Sequence, residues 1–167
     1  MIIWITGISG VGKTTLAKKL YKTLKKKITN IVHIDGDQFR KMFNNDLGYS
    51  LKDRDLNAQR MINFVKFLNQ FKINIIISAN LTSQKYRIYC KKNIVNFYEI
   101  HISAELKTLI KRDKKQIYNQ KNKSKIVGIG IKNITNNTSF IKLENNYSKN
   151  DFLKNEKDIL KKLKIRY

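Results

Sequence analysis

The stretch Gly7-Ile8-Ser9-Gly10-Val11-Gly12-Lys13-Thr14, followed by Thr15, limits what this chain can fold into more than any other. It reads G-x-x-x-x-G-K-[ST], a loop whose backbone N–H groups wrap a nucleotide's phosphates while its lysine reaches the outer phosphates and its hydroxyl ligates magnesium. Such a loop works between a buried parallel strand and a helix, and the flanks supply both. Ile2-Ile3-Trp4-Ile5 is a short apolar run, and Leu16, Ala17, Leu20, Tyr21 and Leu24 fall on one helical face directly after the loop. Gly7, Ser9, Gly10, Val11, Gly12, Lys13, Thr14 and Thr15 are therefore expected to hold ATP, with Mg2+ on Thr14.

The rest of the chain repeats the alternation. Lys25-Lys26-Lys27 suits a helix C-terminus, where cations meet the negative end of the dipole. Ile31-Val32-His33-Ile34 reads as a second buried strand, with His33 a hydrogen-bonded core histidine rather than a ligand. Asp35 and Asp37 follow it and should emerge on the rim that carries the phosphate loop, because ligands in open parallel sheets bind beyond the strands' carboxyl ends. After a polar turn from Asn44 to Ser50, a helix is expected from near Asp53, with Ala58, Ile62, Val65 and Leu68 inward and Arg54, Asn57 and Arg60 sharing another face. That polar face is open to two readings, a solvated surface or a binding surface.

A third strand over 73–78 lacks the acidic residue that many phosphate-loop enzymes place at a strand end, so Asp35 is the candidate to hold Mg2+ in its stead. A short basic helix from Gln84 to Lys92 comes next, then a strand from Phe97 to Ile102, then a helix with Leu106, Leu109 and Ile110 inward. Residues 113–137, rich in Lys, Asn and Gln, are too polar for core and too long for an ordinary connection, and read as a mobile lid or substrate loop, with plain disorder the alternative. Phe140 to Leu143 and the amphipathic Phe152, Leu153, Ile159, Leu160 and Leu163 close the chain with a strand and a helix. The expected fold class is α/β, a three-layer sandwich with a central parallel sheet flanked by helices, in a single domain spanning 1–167.

Composition bears on the partners. The 35 basic against 12 acidic side chains give a net charge of +23, which would attract nucleic acid, but the lysines are scattered over every expected helix and form no shaped patch. Small polyanions such as nucleotides are the expected partners, with no specific nucleic acid and no membrane. A basic nucleic-acid-binding protein with a vestigial loop and an inactive interaction module are the readings from other classes. A single cysteine, Cys90, forms no internal disulfide and suits the cytoplasm, and no apolar run is long enough for a signal peptide or a membrane span.

With these residues in place, the sequence resembles the adenylylsulfate kinases over nearly its whole length. The likeness is carried by G-I-S-G-V-G-K-T-T at 7–15, D-G-D-Q-F-R at 35–40 and L-G-Y-S-L-K-D-R-D-L-N-A-Q-R at 47–60, then by Arg87, R-D-K-K-Q-I-Y at 112–118 and V-G-I at 127–129. The resemblance implies a nucleotide-kinase-like phosphate-loop fold and transfer of the γ-phosphate of ATP to the 3′-hydroxyl of adenosine 5′-phosphosulfate. It implies that Lys13, Asp35 and Asp37 are catalytic, with Thr14 and Asp35 on the metal and Asp35 accepting the hydroxyl proton. It places Asp37, Arg40, Tyr49, Arg54, Asn57, Asn80, Leu81, Lys115, Ile126 and Val127 around the acceptor, where guanidinium groups at 40 and 54 suit an anionic phosphosulfate.

The sequence departs from the family pattern on the acceptor side. Ala79-Asn80-Leu81-Thr82 stands where the family reads Ile-Ser-Pro, Ile126 to Gly130 where it reads Phe-Thr-Gly-Ile-Asp, and Gln59 where it has an arginine. A related group of kinases from surface-polysaccharide pathways, acting on cytidine diphosphoramidate, is therefore the alternative. A homodimer is an open option.

Overall fold

The computed structural model describes residues 1–113, 116–118, 124, 126–127, 129–131 and 140–164. Its elements are β1 (Ile2–Thr6), α1 (Lys13–Leu24), β2 (Ile31–Asp35), α2 (Gly36–Lys41), α3 (Leu51–Gln70), β3 (Asn74–Ser78), α4 (Gln84–Asn93), β4 (Phe97–Ser103), α5 (Leu106–Lys111), β5 (Ile141–Glu144) and α6 (Lys149–Lys162). The five strands form one sheet in the order β2-β3-β1-β4-β5, parallel at every pairing.

Because successive strand residues face opposite ways, β1 feeds two cores. Ile3 and Ile5 join Leu16, Ala17 and Leu20 of α1, Leu109 of α5 and Ile159 and Leu160 of α6. Ile2 and Trp4 join Phe39 of α2, Ala58, Met61, Ile62 and Val65 of α3, and Cys90 of α4. Covering both faces explains why β1 and β3 are nearly continuous isoleucine, the pattern of a parallel sheet. Cys90 is buried, and that burial pushes its thiol up to about 12. Among the described residues no helix is long and apolar enough to cross a membrane.

Several expectations are corrected. The second strand lies at the sheet's edge, so Val32 is exposed and His33 half-buried. The long helix expected from near Asp53 does form and begins at Leu51, where Ser50 caps it: its hydroxyl accepts from the Asp53 amide while the Asp53 carboxylate accepts from the Ser50 amide. In α5 only Leu109 is buried, and Leu106 and Ile110 are exposed, since a helix of six residues turns too little surface inward for three anchors. Within 113–137, Tyr118, Ile126 and Val127 are buried in the core on the α1 side of the sheet, contrary to the expectation of a segment too polar for core.

Candidate active site

The phosphate loop lies between β1 and α1, and its glycines take backbone angles that side chains resist. Gly7, Gly10 and Gly12 have φ of 137°, 80° and 99°. A Cβ on Gly7 would stand 2.3 Å from the Ile102 carbonyl oxygen, and one on Gly12 would stand 2.8 Å from Asn145 Nδ2. Two distant side chains grip the loop's carbonyls. The Tyr118 hydroxyl donates to Ser9 O at 2.6 Å, and Asn145 Nδ2 donates to Val11 O at 2.8 Å. Neither was anticipated, since 109 and 134 residues separate the partners in sequence. Lys13 Nζ donates to Ile8 O at 2.8 Å, folded back along the loop whose phosphates it would meet. Thr15 follows in the first turn of α1, half-buried like Lys13 and Thr14.

Thr14 connects this loop to the end of β2. Its hydroxyl donates to Asp35 Oδ2 at 2.8 Å, and Ser78, the neighbour of Asp35 in the sheet register, donates to the same oxygen at 2.9 Å. Asp35 Oδ1 accepts from the Asp37 and Gln38 amides, capping α2. Burial pushes the Asp35 carboxyl upward, but the bonds from Thr14, Ser78 and those two amides outweigh it and hold the group below the usual carboxylate range. Ser78 has one proton and gives it to Asp35, so His33 Nε2, 2.9 Å away, donates to Ser78 Oγ. Ser78 thus occupies the strand end where an acid was missed. Among the described residues no group of three or more His, Cys, Asp or Glu could hold a metal alone. The donor set of a hydroxyl and a depressed carboxylate beside a phosphate cradle fits Mg2+, which takes few protein ligands and completes its shell with phosphates and water.

On the other core's side, Arg40 is buried and its Nη1 donates to Leu47 O and Gly48 O at 3.1 and 3.0 Å, fixing the turn that presents Tyr49. The exposed Tyr49 ring has two guanidiniums over it, that of Arg40 at 4.8 Å from its centroid and that of Arg54 at 5.3 Å, and Arg54 Nε also donates to Tyr49 O. Of the polar face read from the sequence, Arg60 is structural: it makes a two-point ion pair with Asp46 at 2.8 Å and covers the Phe43 ring. Asn57 is half-buried on α3, and Asp37 is exposed at the start of α2. Leu81 is fully buried, and Asn80 keeps its Oδ1 buried without a hydrogen-bond partner. Ile126 and Val127 pack in the core on the α1 side, away from the face that carries Phe39 and Leu81. Lys115 lies outside the described residues.

Behind the loop sits a second polar group that the sequence did not reveal. Glu99 Oε1 accepts from Thr6 Oγ1 at 3.1 Å and lies 3.1 Å from Arg87 Nη1, and His101 Nδ1 is 3.1 Å from the same Thr6 oxygen. Burial, with help from the charges of Arg87, Lys142 and Lys13, lowers the His101 imidazole to about 4. The unfolded chain, near 6.5, takes that proton first, so folding stability is full above about pH 6.5 and is lost as pH falls toward 4, by about 3 kcal/mol in all. Calorimetry between pH 4.5 and 7.5 should show the melting temperature falling with acid, and His101→Gln should flatten that fall. An unchanged slope in the variant would refute it.

The comparisons with known proteins follow this geometry. A sequence model of adenylylsulphate kinase matches residues 1–138. The cytidine diphosphoramidate kinase of Campylobacter jejuni is 35% identical over 133 residues, covering 78% of each chain. A probable adenylyl-sulfate kinase of Pyrococcus abyssi is 36% identical over 127 residues, 76% of this chain and 73% of that one. The Mycobacterium tuberculosis APS kinase solved with AMPPNP and APS superposes with a TM-score of 0.82 at 24% identity, over 98% of this chain and 96% of that one, a likeness of fold. Shikimate kinase from Aquifex aeolicus shares the fold more distantly, with a TM-score of 0.60 at 18% identity over 98% of this chain and 96% of that one. A phosphate loop joined through Thr14 to an acidic strand end, in a chain that matches over these lengths, places the protein: it belongs to the adenylylsulphate kinase family of ATP-dependent phosphotransferases acting on a hydroxyl group.

Proposed function

We propose that the protein, as one kinase domain of the cytoplasm, transfers the γ-phosphate of ATP to the 3′-hydroxyl of adenosine 5′-phosphosulfate. The observation that carries the reading is the bond from Thr14 to Asp35, which ties the phosphate loop to the rim where Asp37 sits in the first turn of α2 and Arg40 reaches the Tyr49 turn. Phosphoryl transfer asks for positioning and charge neutralisation more than covalent chemistry. The amides of the loop and Lys13 would hold the transferring phosphate. Thr14 and Asp35 would hold Mg2+, which when bound neutralises charge on the phosphate oxygens. Four hydrogen bonds engage both Asp35 oxygens and make it a poor base, so the role of accepting the hydroxyl proton moves to Asp37. Arg40 and Arg54 beside Tyr49 would receive the acceptor's anionic group.

A second reading, cytidine diphosphoramidate as acceptor, is favoured by loop 79–82. Ala79-Asn80-Leu81-Thr82 departs there from the family's Ile-Ser-Pro, and the cytidine diphosphoramidate kinase of Campylobacter jejuni is 35% identical over 133 residues. Mass spectrometry with ATP, magnesium and a panel holding adenosine 5′-phosphosulfate and cytidine diphosphate derivatives should show one phosphorylated acceptor. A gain of phosphate on the cytidine compound alone replaces the first reading with the second, and no product with any 3′-hydroxyl nucleotide refutes both.

A further inference from the structure

Loop 79–82 is fastened to the sheet from two sides. Trp4 Nε1 donates to Ala79 O at 3.0 Å, and Arg87 Nε donates to Leu81 O at 2.8 Å. Arg87 then reaches Glu99, which accepts from Thr6, and Thr6 is the residue immediately before Gly7 of the phosphate loop. The chain Leu81–Arg87–Glu99–Thr6 thus runs from the acceptor side to the donor side, its middle step an ion contact of 3.1 Å in which Arg87 Nη1 makes no aligned hydrogen bond. Its members are among the least accessible residues of the protein: Arg87 is 1% exposed, and Glu99 and Thr6 are 0%.

Proton counting gives the chain a direction. Thr6 has one hydroxyl proton and Glu99, as a carboxylate, can only accept it, so His101 must donate from Nδ1 to Thr6 Oγ1. Its Nε2 is then a bare acceptor, and it is buried without a partner, as is Glu99 Oε2. Every hydroxyl and imidazole orientation in the group is therefore fixed by the neighbour.

An arrangement of this kind is not the cheapest way to fill space. A buried ion pair is commonly matched or bettered in stability by apolar residues of similar volume, and the surroundings, with Trp4, Leu81, Cys90 and Phe97, are apolar. What polar links supply instead is direction and fixed length. Transfer requires the acceptor hydroxyl at about 3–3.5 Å from the phosphorus, and a misplacement of about 1 Å costs on the order of 10²-fold in rate.

We infer that Arg87 is a positioning residue, which through Glu99 and Thr6 keeps loop 79–82 in register with the phosphate loop, so that filling the ATP site orders the acceptor side. This rests on the phosphotransferase reading for its purpose but not for its test. The probe is the non-hydrolysable analogue AMPPNP with magnesium, and the readout is hydrogen exchange of the amides of 79–82. In the native protein, adding the probe should slow that exchange at least about threefold. Arg87→Lys keeps a cation near Glu99 but lacks the Nε that reaches Leu81 O, and Thr6→Val keeps the shape but removes the hydroxyl. In both variants the slowing should disappear, while the affinity for AMPPNP, by titration calorimetry, stays within about twofold. With whichever nucleotide the panel identifies, kcat/KM for the acceptor should fall at least about tenfold and KM for ATP should hold.

No slowing in the native protein overturns the inference, as does equal slowing in both variants. Loss in Arg87→Lys alone confines the residue to its contact with Leu81 and overturns the link through Thr6. If no acceptor is ever phosphorylated, the proposed function fails while the exchange experiment still decides the coupling.

Discussion

Lys13→Ala is expected to lower phosphoryl transfer by at least about 10³-fold with the melting temperature nearly unchanged. The size follows from what the side chain does. Removing one preorganised donor from the place where charge gathers in a transition state costs about 10²–10³-fold, and Lys13 adds a full charge to its donors. Stability should hold because Lys13 is half-buried at the start of α1, and its contact with Ile8 O is to a loop already held by Tyr118 and Asn145. Lys13→Arg should restore little, since a planar fork does not replace a compact ammonium in a tight loop. ADP release in the presence of the acceptor, together with a thermal melt, checks both halves. Retention of more than about a tenth of the native rate would remove the loop from the chemistry.

Glu99→Leu should destabilise the fold by about 3–5 kcal/mol, because it leaves Arg87 buried and charged with no counter-ion. For a chain of this size that is a fall of roughly 10 °C in melting temperature. Adding Arg87→Met to Glu99→Leu should recover most of the loss, because an apolar pair replaces the ion pair among apolar neighbours. The double variant should nevertheless stay impaired toward the acceptor, since Leu81 O has lost its donor. A single variant that melts within about 2 °C of the native protein would mean that the pair carries no energetic weight. With the Arg87→Met single variant added, the native protein, both single variants and the double variant form a double-mutant cycle and can be melted side by side.

What the sequence disclosed and what it hid divide by the distance over which the physics acts. The phosphate loop was legible because its glycines answer local backbone demands, and the alternation of strands and helices because periodicity is a short-range property. Asp35 and Asp37 could be placed on the correct rim from topology alone. The edge position of β2 could not be read, because Ile31 to Ile34 looks the same whether one neighbour or two pair with it. Tyr118, Ile126 and Val127 sit in a polar stretch whose composition hides three inward residues, and their burial depends on surfaces contributed by the phosphate loop and α5. Arg87 was noticed through resemblance, but nothing in its neighbours pointed to Glu99 or Thr6. On α3, Arg54 and Arg60 looked equivalent by spacing, yet one borders Tyr49 and the other is consumed by Asp46.

The two side chains that hold the loop's carbonyls have one more consequence. A peptide unit beside glycine can rotate by half a turn and present its oxygen where its N–H had been. Tyr118 fastens the carbonyl that precedes the Gly10 amide, and Asn145 the carbonyl that precedes the Gly12 amide. Both peptide units are thereby latched with their oxygens outward, and the concavity keeps its positive lining before any nucleotide arrives. The loop's preference for anions over cations is thus held from outside it, by residues more than a hundred positions away.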